Sequence, residues 1–136
     1  MSIGRGTANP FQVIGHPEYP DKDFYFIPES NEGAKNPKYE GNQCYGINLS
    51  HYSDSQIVAQ KSININWLIN TYQTFSVDQD FFNNFFNLLA GTDKLKKQIK
   101  EGKSESEIRQ SWQKELHKFY QKRKKYLLYP DIPQPY

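Results

Sequence analysis

The sequence predicts an α+β domain in which a small sheet from the N-terminal half packs against about four helices, the last one long. Three observations carry that prediction. Residues 1–61 hold six of the eight glycines, five of the eight prolines and all the short apolar alternations, whereas the remainder places apolar residues at helical spacing. Aromatic residues make up 15% of the chain, with ten Tyr and nine Phe, so the chain is expected to fold despite a low mean hydropathy. At 136 residues the chain can build one hydrophobic core, and residues 1–136 are read as a single domain.

In chain order, "SIGRGTANPF" comes first. Gly4 and Gly6 flank Arg5 and let the backbone come close to a ligand, while the guanidinium can grip a carboxylate or phosphate through two parallel hydrogen bonds. Thr7 adds a hydroxyl, and the competing reading is a disordered leader. "NPFQVIG" reads as one or two helical turns, opened by Asn9 with Pro10 at the first position and closed by Gly15. "DFYFIPES" and "NQCYGINLSH" are the strand candidates, separated by the polar loop "NEGAKNPKYEGN". In the second strand Tyr45, Ile47 and Leu49 share an apolar face, and Cys44, Gly46 and Asn48 share a small, polar one.

The second half reads as helices. "INWLINTYQTF" puts Ile65, Leu68, Ile69 and Tyr72 on one face. "DQDFFNNFFNLLAG" lines up Phe81, Phe82, Phe85, Phe86 and Leu89 as a core stripe between an aspartate cap and Gly91. A short helix follows from Thr92, with Leu95 and Ile99 inward and Gly102 as its stop. Ser104 and Glu107 form a capping box for the last helix, whose apolar positions Ile108, Trp112, Leu116, Phe119 and Tyr120 run on to about Tyr126. Pro130, Pro133 and Pro135 make the end an extended tail.

Composition narrows the chemistry. Seventeen Lys plus Arg against fifteen Asp plus Glu give a net charge of +2, which offers no broad electrostatic reason to bind nucleic acid or membrane. The cluster "QKRKK" lies near a helix C-terminus, where exposed carbonyls favour cations. No apolar run approaches the length of a membrane span. Cys44 is the single cysteine, which excludes an internal disulfide and a multi-cysteine zinc site. His16, His51 and His117 lack metal-ligand spacing, so neither metal nor cofactor is expected. A Cys44–His16 nucleophile pair would make a small stand-alone enzyme. Glu18, Asp21, Asp23, Glu29 and Glu32 supply the carboxylates a glycosidase needs, but their clustering reads as loop solubility. The aromatic content also suits stacking on carbohydrate, although most such rings belong in the core.

"SIGRGTANPFQVIGHP", "FIPES", "YEGNQCYGINL" and the closing stretch from "LLAGTDKLKKQIKEGKSESEIRQSW" to "YLLYP" resemble, in this order, the C-terminal half of the YbbC/NamZ-type exo-β-N-acetylmuramidases. The resemblance spans essentially the whole chain. It implies a longer two-domain protein, with a Rossmann-like N-terminal catalytic domain outside these residues and a substrate cleft between the two. The parent would be a glycoside hydrolase removing N-acetylmuramic acid from peptidoglycan fragments or muropeptides, exported to the periplasm or cell envelope, and this part alone would be inactive. Arg5, Gly6 and Thr7 match the family's loop near the cleft, with Cys44, Tyr45 and Gly46 lining or supporting the site. The alternative is a non-catalytic module that binds glycan or stabilises its partner domain. The loop from Gly4 to Thr7 should then be poorly packed or held by neighbouring contacts. Two departures stand out: His16 and Glu18 replace a small residue followed by an aromatic, and residues 54–60 lack a proline expected after the central strand.

Overall fold

The computed structural model describes residues 1–75 and 81–130. The chain forms two compact units, Met1–Asn83 and Asn84–Tyr136. The first contains β1 (Val13–His16), β2 (Tyr25–Phe26), β3 (Cys44–Asn48), α1 (Asp54–Gln60) and α2 (Asn66–Thr74). The second contains α3 (Phe86–Ala90), α4 (Lys94–Lys100) and α5 (Glu105–Arg123), the last continuing into a 3-10 turn at Lys124–Tyr126. Strands first and helices after, ending on a helix of 19 residues, this is the α+β arrangement.

The sheet is antiparallel in the order β1-β3-β2. Its register sets Val13 opposite Asn48, Gly15 opposite Gly46 and Phe26 opposite Cys44, so these residues share one face. That face is the buried one: Val13, Phe26 and Cys44 form its core cluster, with Phe24 and Tyr39 packed against it. On β3 the burial therefore falls on small Cys44 and Gly46, while Tyr45, Ile47 and Leu49 stay half-buried. The reason is backbone proximity. A Cβ on Gly46 would lie 1.9 Å from the Ile14 carbonyl oxygen, and one on Gly15 would lie 2.6 Å from the Tyr45 carbonyl oxygen.

"NPFQVIG" is not helical. Gln12 N–H bonds back to Asn9 oxygen in a turn, and the chain then extends as β1. Phe11 adopts φ of 65°, in the left-handed region, which a right-handed helix cannot contain. Pairing with β3 then captures β-branched Val13 and Ile14. Conversely, "DSQIVAQ" forms α1 through a capping box in which Ser53 and Gln56 exchange hydrogen bonds. Ile65, the cap of α2, and Ile69 within it are buried as the helical spacing predicts, and Tyr72 packs its ring against Phe81 and Phe82.

In the second unit the ends of the helices match the sequence signals more closely than the faces do. Gly91 and Gly102 take the left-handed conformation that closes α3 and α4. Ser104 and Glu107 form the capping box of α5. The expected phenylalanine stripe breaks up, however, because α3 has only five residues and Phe85 precedes it. Phe82, which belongs to the first unit, is buried, whereas Phe85 and Leu89 are exposed. On α5, Ile108 is fully buried but Leu116 and Phe119 face solvent. The expected aspartate cap and the prolines at 133 and 135 lie outside the described residues.

Candidate functional site

The loop of Gly4–Thr7 is held firmly by its neighbours. Ser2 and Gly15 exchange backbone hydrogen bonds at 2.7 and 3.0 Å, tying the loop's entry to the edge of β1. Thr7 Oγ1 donates to the Gly4 carbonyl at 2.7 Å and accepts from Asn9 N–H at 3.0 Å. Glu29 N–H donates to the Gly6 carbonyl at 2.8 Å, fixing the loop against "FIPES". Gly6 has φ of 82°, and a Cβ there would stand 2.6 Å from the Glu29 carbonyl oxygen and 2.7 Å from the Pro37 ring. Only glycine fits that position.

These contacts shape an open cleft of about 460 Å³. Gly6, Thr7 and Ala8 line it together with Phe26, Ile27, Glu29, Ser30 and Asn31. It offers an exposed carboxylate, side-chain hydroxyl and amide groups, and an apolar patch from Phe26 and Ile27. Arg5 is exposed on the same loop. One Nη2 hydrogen bond to the Gly33 carbonyl, at 3.3 Å, steadies its guanidinium, and the remaining donors make no hydrogen bond among the described residues. A guanidinium held by one weak contact keeps its fork available for an anionic group.

The other residues singled out in the sequence occupy different places. Cys44 is fully buried beneath the sheet, in the same cluster as the cleft-lining Phe26. Gly46 is buried where β3 passes β1. Tyr45 points to the opposite face, with the Lys22 ammonium 3.8 Å from its ring centroid and its hydroxyl accepting from Gln43 Nε2 at 3.0 Å. The Cys44–His16 nucleophile pair is not assembled. His16 pairs with Tyr45 in the register and so lies on the face away from Cys44, and burial pushes the Cys44 thiol above its usual pKa. A buried thiol that resists ionisation is a poor nucleophile.

His16 is built into the structure instead. Its ring centroid lies 4.8 Å from that of Tyr39 and 4.5 Å from that of Phe75, and its Nδ1 accepts from Glu18 N–H at 3.0 Å. Burial lowers its pKa. Among the carboxylates, Asp21 closes a local turn by accepting from Asp23 N–H, whereas Glu29, first read as a solubilising group, lines the cleft. Sequence reasoning gave no role to Phe26, Ile27, Ser30 or Asn31. The signal was present in "FIPES", where buried Pro28 locks the backbone directly before Glu29. Among the described residues no group of three or more His, Cys, Asp or Glu could hold a metal ion, and no helix is long and apolar enough to cross a membrane.

The cleft is thus a polar concavity made by tightly constrained loops, and Arg5 is exposed on the loop that supplies Gly6 and Thr7 to it. Residues 1–129 match the family described as exo-beta-N-acetylmuramidase NamZ, C-terminal, and the chain belongs to that family. It is accordingly a glycoside-hydrolase-related domain. The chain is 28% identical over 141 aligned positions to the peptidoglycan beta-N-acetylmuramidase NamZ of Bacillus subtilis (strain 168), covering 95% of this chain and 34% of that protein. It is also similar to the crystal structure of a DUF1343 family protein from Bacteroides fragilis NCTC 9343, with 45% identity and a TM-score of 0.87, covering 96% of this chain and 37% of that one. The chain thus spans little more than a third of the length of the relatives it matches.

Proposed function

We propose that this chain forms one wall of the substrate cleft of an exo-β-N-acetylmuramidase-like glycoside hydrolase that acts on peptidoglycan fragments or muropeptides. The observation that carries the reading is the cleft itself, whose Gly6 and Thr7 belong to a loop locked against Glu29, with Arg5 exposed on the same loop. N-acetylmuramic acid carries a lactyl carboxylate, and Arg5, exposed on the same loop as Gly6 and Thr7, is the cation we assign to it. Thr7, Glu29, Ser30 and Asn31 offer partners for the sugar's hydroxyl and acetamido groups, while Phe26 and Ile27 face its apolar surface. Cys44 and Gly46 support the wall from beneath, through the packing of Phe26 and the close passage of β3, and Tyr45 braces the strand from the other side.

In this reading the acid/base groups belong to a Rossmann-like domain within the additional length that the relatives have, and the wall domain alone is inactive. The setting is the cell envelope, consistent with a relative named for its action on peptidoglycan, and the role is cell-wall recycling. Arg5→Ala in a full-length enzyme carrying this domain should weaken the processing of muramic-acid-terminated substrates; unchanged kinetics would sink the proposal. A second reading, a non-catalytic module that stabilises a partner, draws on the exposure of Phe85, Leu88 and Leu89. Titrating the 136-residue chain with muropeptides separates the two, since saturable binding by the chain alone marks an autonomous glycan-binding module.

A further inference from the structure

The end of α5 carries the densest run of positive charge in the sequence. Residues 116–130 hold five Lys or Arg and no Asp or Glu, while the whole chain has a net charge of only +2, so the remainder is net negative. Lys118 pairs with Glu115 at 2.9 Å, but Lys122, Lys124 and Lys125 meet no carboxylate among the described residues. All four lysines are exposed. The free carbonyls at a helix C-terminus attract cations to its last turn, which accounts for Lys122 and Arg123. It does not account for the apolar groups that accompany them.

Phe119 is 62% exposed and lies three residues from Lys122, so ring and ammonium share one side of the helix. Past the 3-10 turn at Lys124–Tyr126 the backbone leaves the helix at Leu127, in an extended conformation. Tyr126, Leu128 and Tyr129 are exposed there, Leu128 at 98%. Cationic and apolar side chains thus interleave on one short stretch, and the pairing narrows the partner. A folded protein would have to strip water from several lysines, and lysine is depleted at protein interfaces. A nucleic acid would satisfy the ammonium groups but give the aliphatic Leu128 nothing to bury it. An anionic lipid surface meets both needs: ammonium groups stay hydrated among the phosphates while tyrosine, phenylalanine and leucine enter the boundary with the acyl chains. Long lysine stems reach such headgroups from beside buried apolar groups.

We propose that the end of α5 and the segment after it, residues 118–129, form a peripheral docking surface for an anionic lipid bilayer. Lys122, Lys124 and Lys125 meet the headgroup phosphates, and Phe119, Tyr126, Leu128 and Tyr129 insert beside them. The contact is interfacial, since no helix among the described residues is long and apolar enough to cross a membrane. It lies wholly in the helical unit and draws nothing from the cleft beside Arg5.

The test is partition of the 136-residue chain onto sedimented vesicles, made of phosphatidylcholine alone or with about one-third phosphatidylglycerol. The expected partition is at least about tenfold stronger onto the anionic vesicles at ~0.1 M salt, and it falls at ~0.5 M. Lys122→Glu combined with Lys125→Glu should weaken it at least about tenfold, and Leu128→Ser combined with Tyr129→Ser about threefold or more. All four side chains are exposed, so both variants keep their fold, which circular dichroism checks. Absent partition, equal partition onto the two kinds of vesicle, or indifference to the charge reversal would overturn the proposal. Partition that ignores Leu128→Ser with Tyr129→Ser would overturn it too, because it marks a general attraction to polyanions rather than docking on lipid.

Discussion

Around Gly46 the backbone of β3 passes so near Ile14 that a single methyl group has nowhere to go, whereas around Ser104 the start of α5 is fixed by two reciprocal hydrogen bonds and the rest of the helix leaves Leu116 and Phe119 in solvent. The sheet-containing unit is specified by steric exclusion at glycines. The helical unit is specified at its ends, by caps and left-handed glycines, and is permissive along its sides. For the proposed function the difference matters because the cleft beside Arg5 lies in the stiff first unit. Gly6, Glu29 and the sheet edge leave its backbone little freedom, so binding would lose little to ordering of the loop.

The comparison can be broken most sharply at Gly46. Gly46→Ala places a Cβ against backbone rather than against a side chain that can yield, and it should cost about 3 kcal/mol or more, enough to unfold the unit in a chemical denaturation experiment. A variant as stable as the parent would remove the claim of steric specification. In the helical unit the largest loss should come from Ile108→Ala, at about 2–5 kcal/mol, because this side chain is fully buried. Phe119→Ala on the same helix should stay within about 0.5 kcal/mol, since its side chain is exposed. Ser104→Ala comes next, at about 1 kcal/mol, through loss of the N-terminal cap.

The smallest effects are those of pH, and they fall in different windows for the two units. The folded pKa of His16 lies below its ordinary 6.5, chiefly through burial, so its contribution is complete above 6.5 and is lost as the pH falls through the depressed folded value. Glu107 lies below its ordinary 4.5, chiefly through its side-chain hydrogen bond with Ser104. Its contribution is complete above 4.5 and disappears only as the pH falls through the lower folded value. Denaturation curves between pH 7.5 and 3 should therefore show the imidazole effect first and the carboxylate effect last. Replacing His16 with Phe should flatten the first part of the profile, and Ser104→Ala should flatten the second.

What could be read from the sequence follows the same division. The capping box at Ser104, the stops at Gly91 and Gly102 and the strand around Cys44–Asn48 are local signals, and each appears where its residues predict. The turn at Phe11 was misread because its left-handed backbone has no marker in a phenylalanine, and β1 depends on pairing with β3, far along the chain. α1 carried a capping box of the same form as that of α5, Ser53 with Gln56, but only seven residues and no buried side chain gave it no periodic pattern. The exposure of Phe85 and Leu89 shows the limit of periodicity: a stripe at helical spacing predicts burial only if a helix long enough to present it forms. At the cleft, the loop of Gly4–Thr7 was legible because glycines flanking an arginine are a backbone signal. Glu29 was not, because its place depends on the hydrogen bond that ties it to Gly6.

The central claim is that Arg5 recognises the lactyl carboxylate of a terminal muramic acid, and it is tested most directly by varying both partners. In a full-length enzyme of the family carrying this domain, kcat/KM would be measured for the parent and for Arg5→Ala. The substrates would be one ending in N-acetylmuramic acid and a counterpart whose lactyl carboxylate is converted to the amide. A charge-assisted hydrogen-bond pair predicts that Arg5→Ala lowers kcat/KM about 10- to 100-fold for the acid and far less for the amide. Equal losses on the two substrates, or no loss on either, would contradict it.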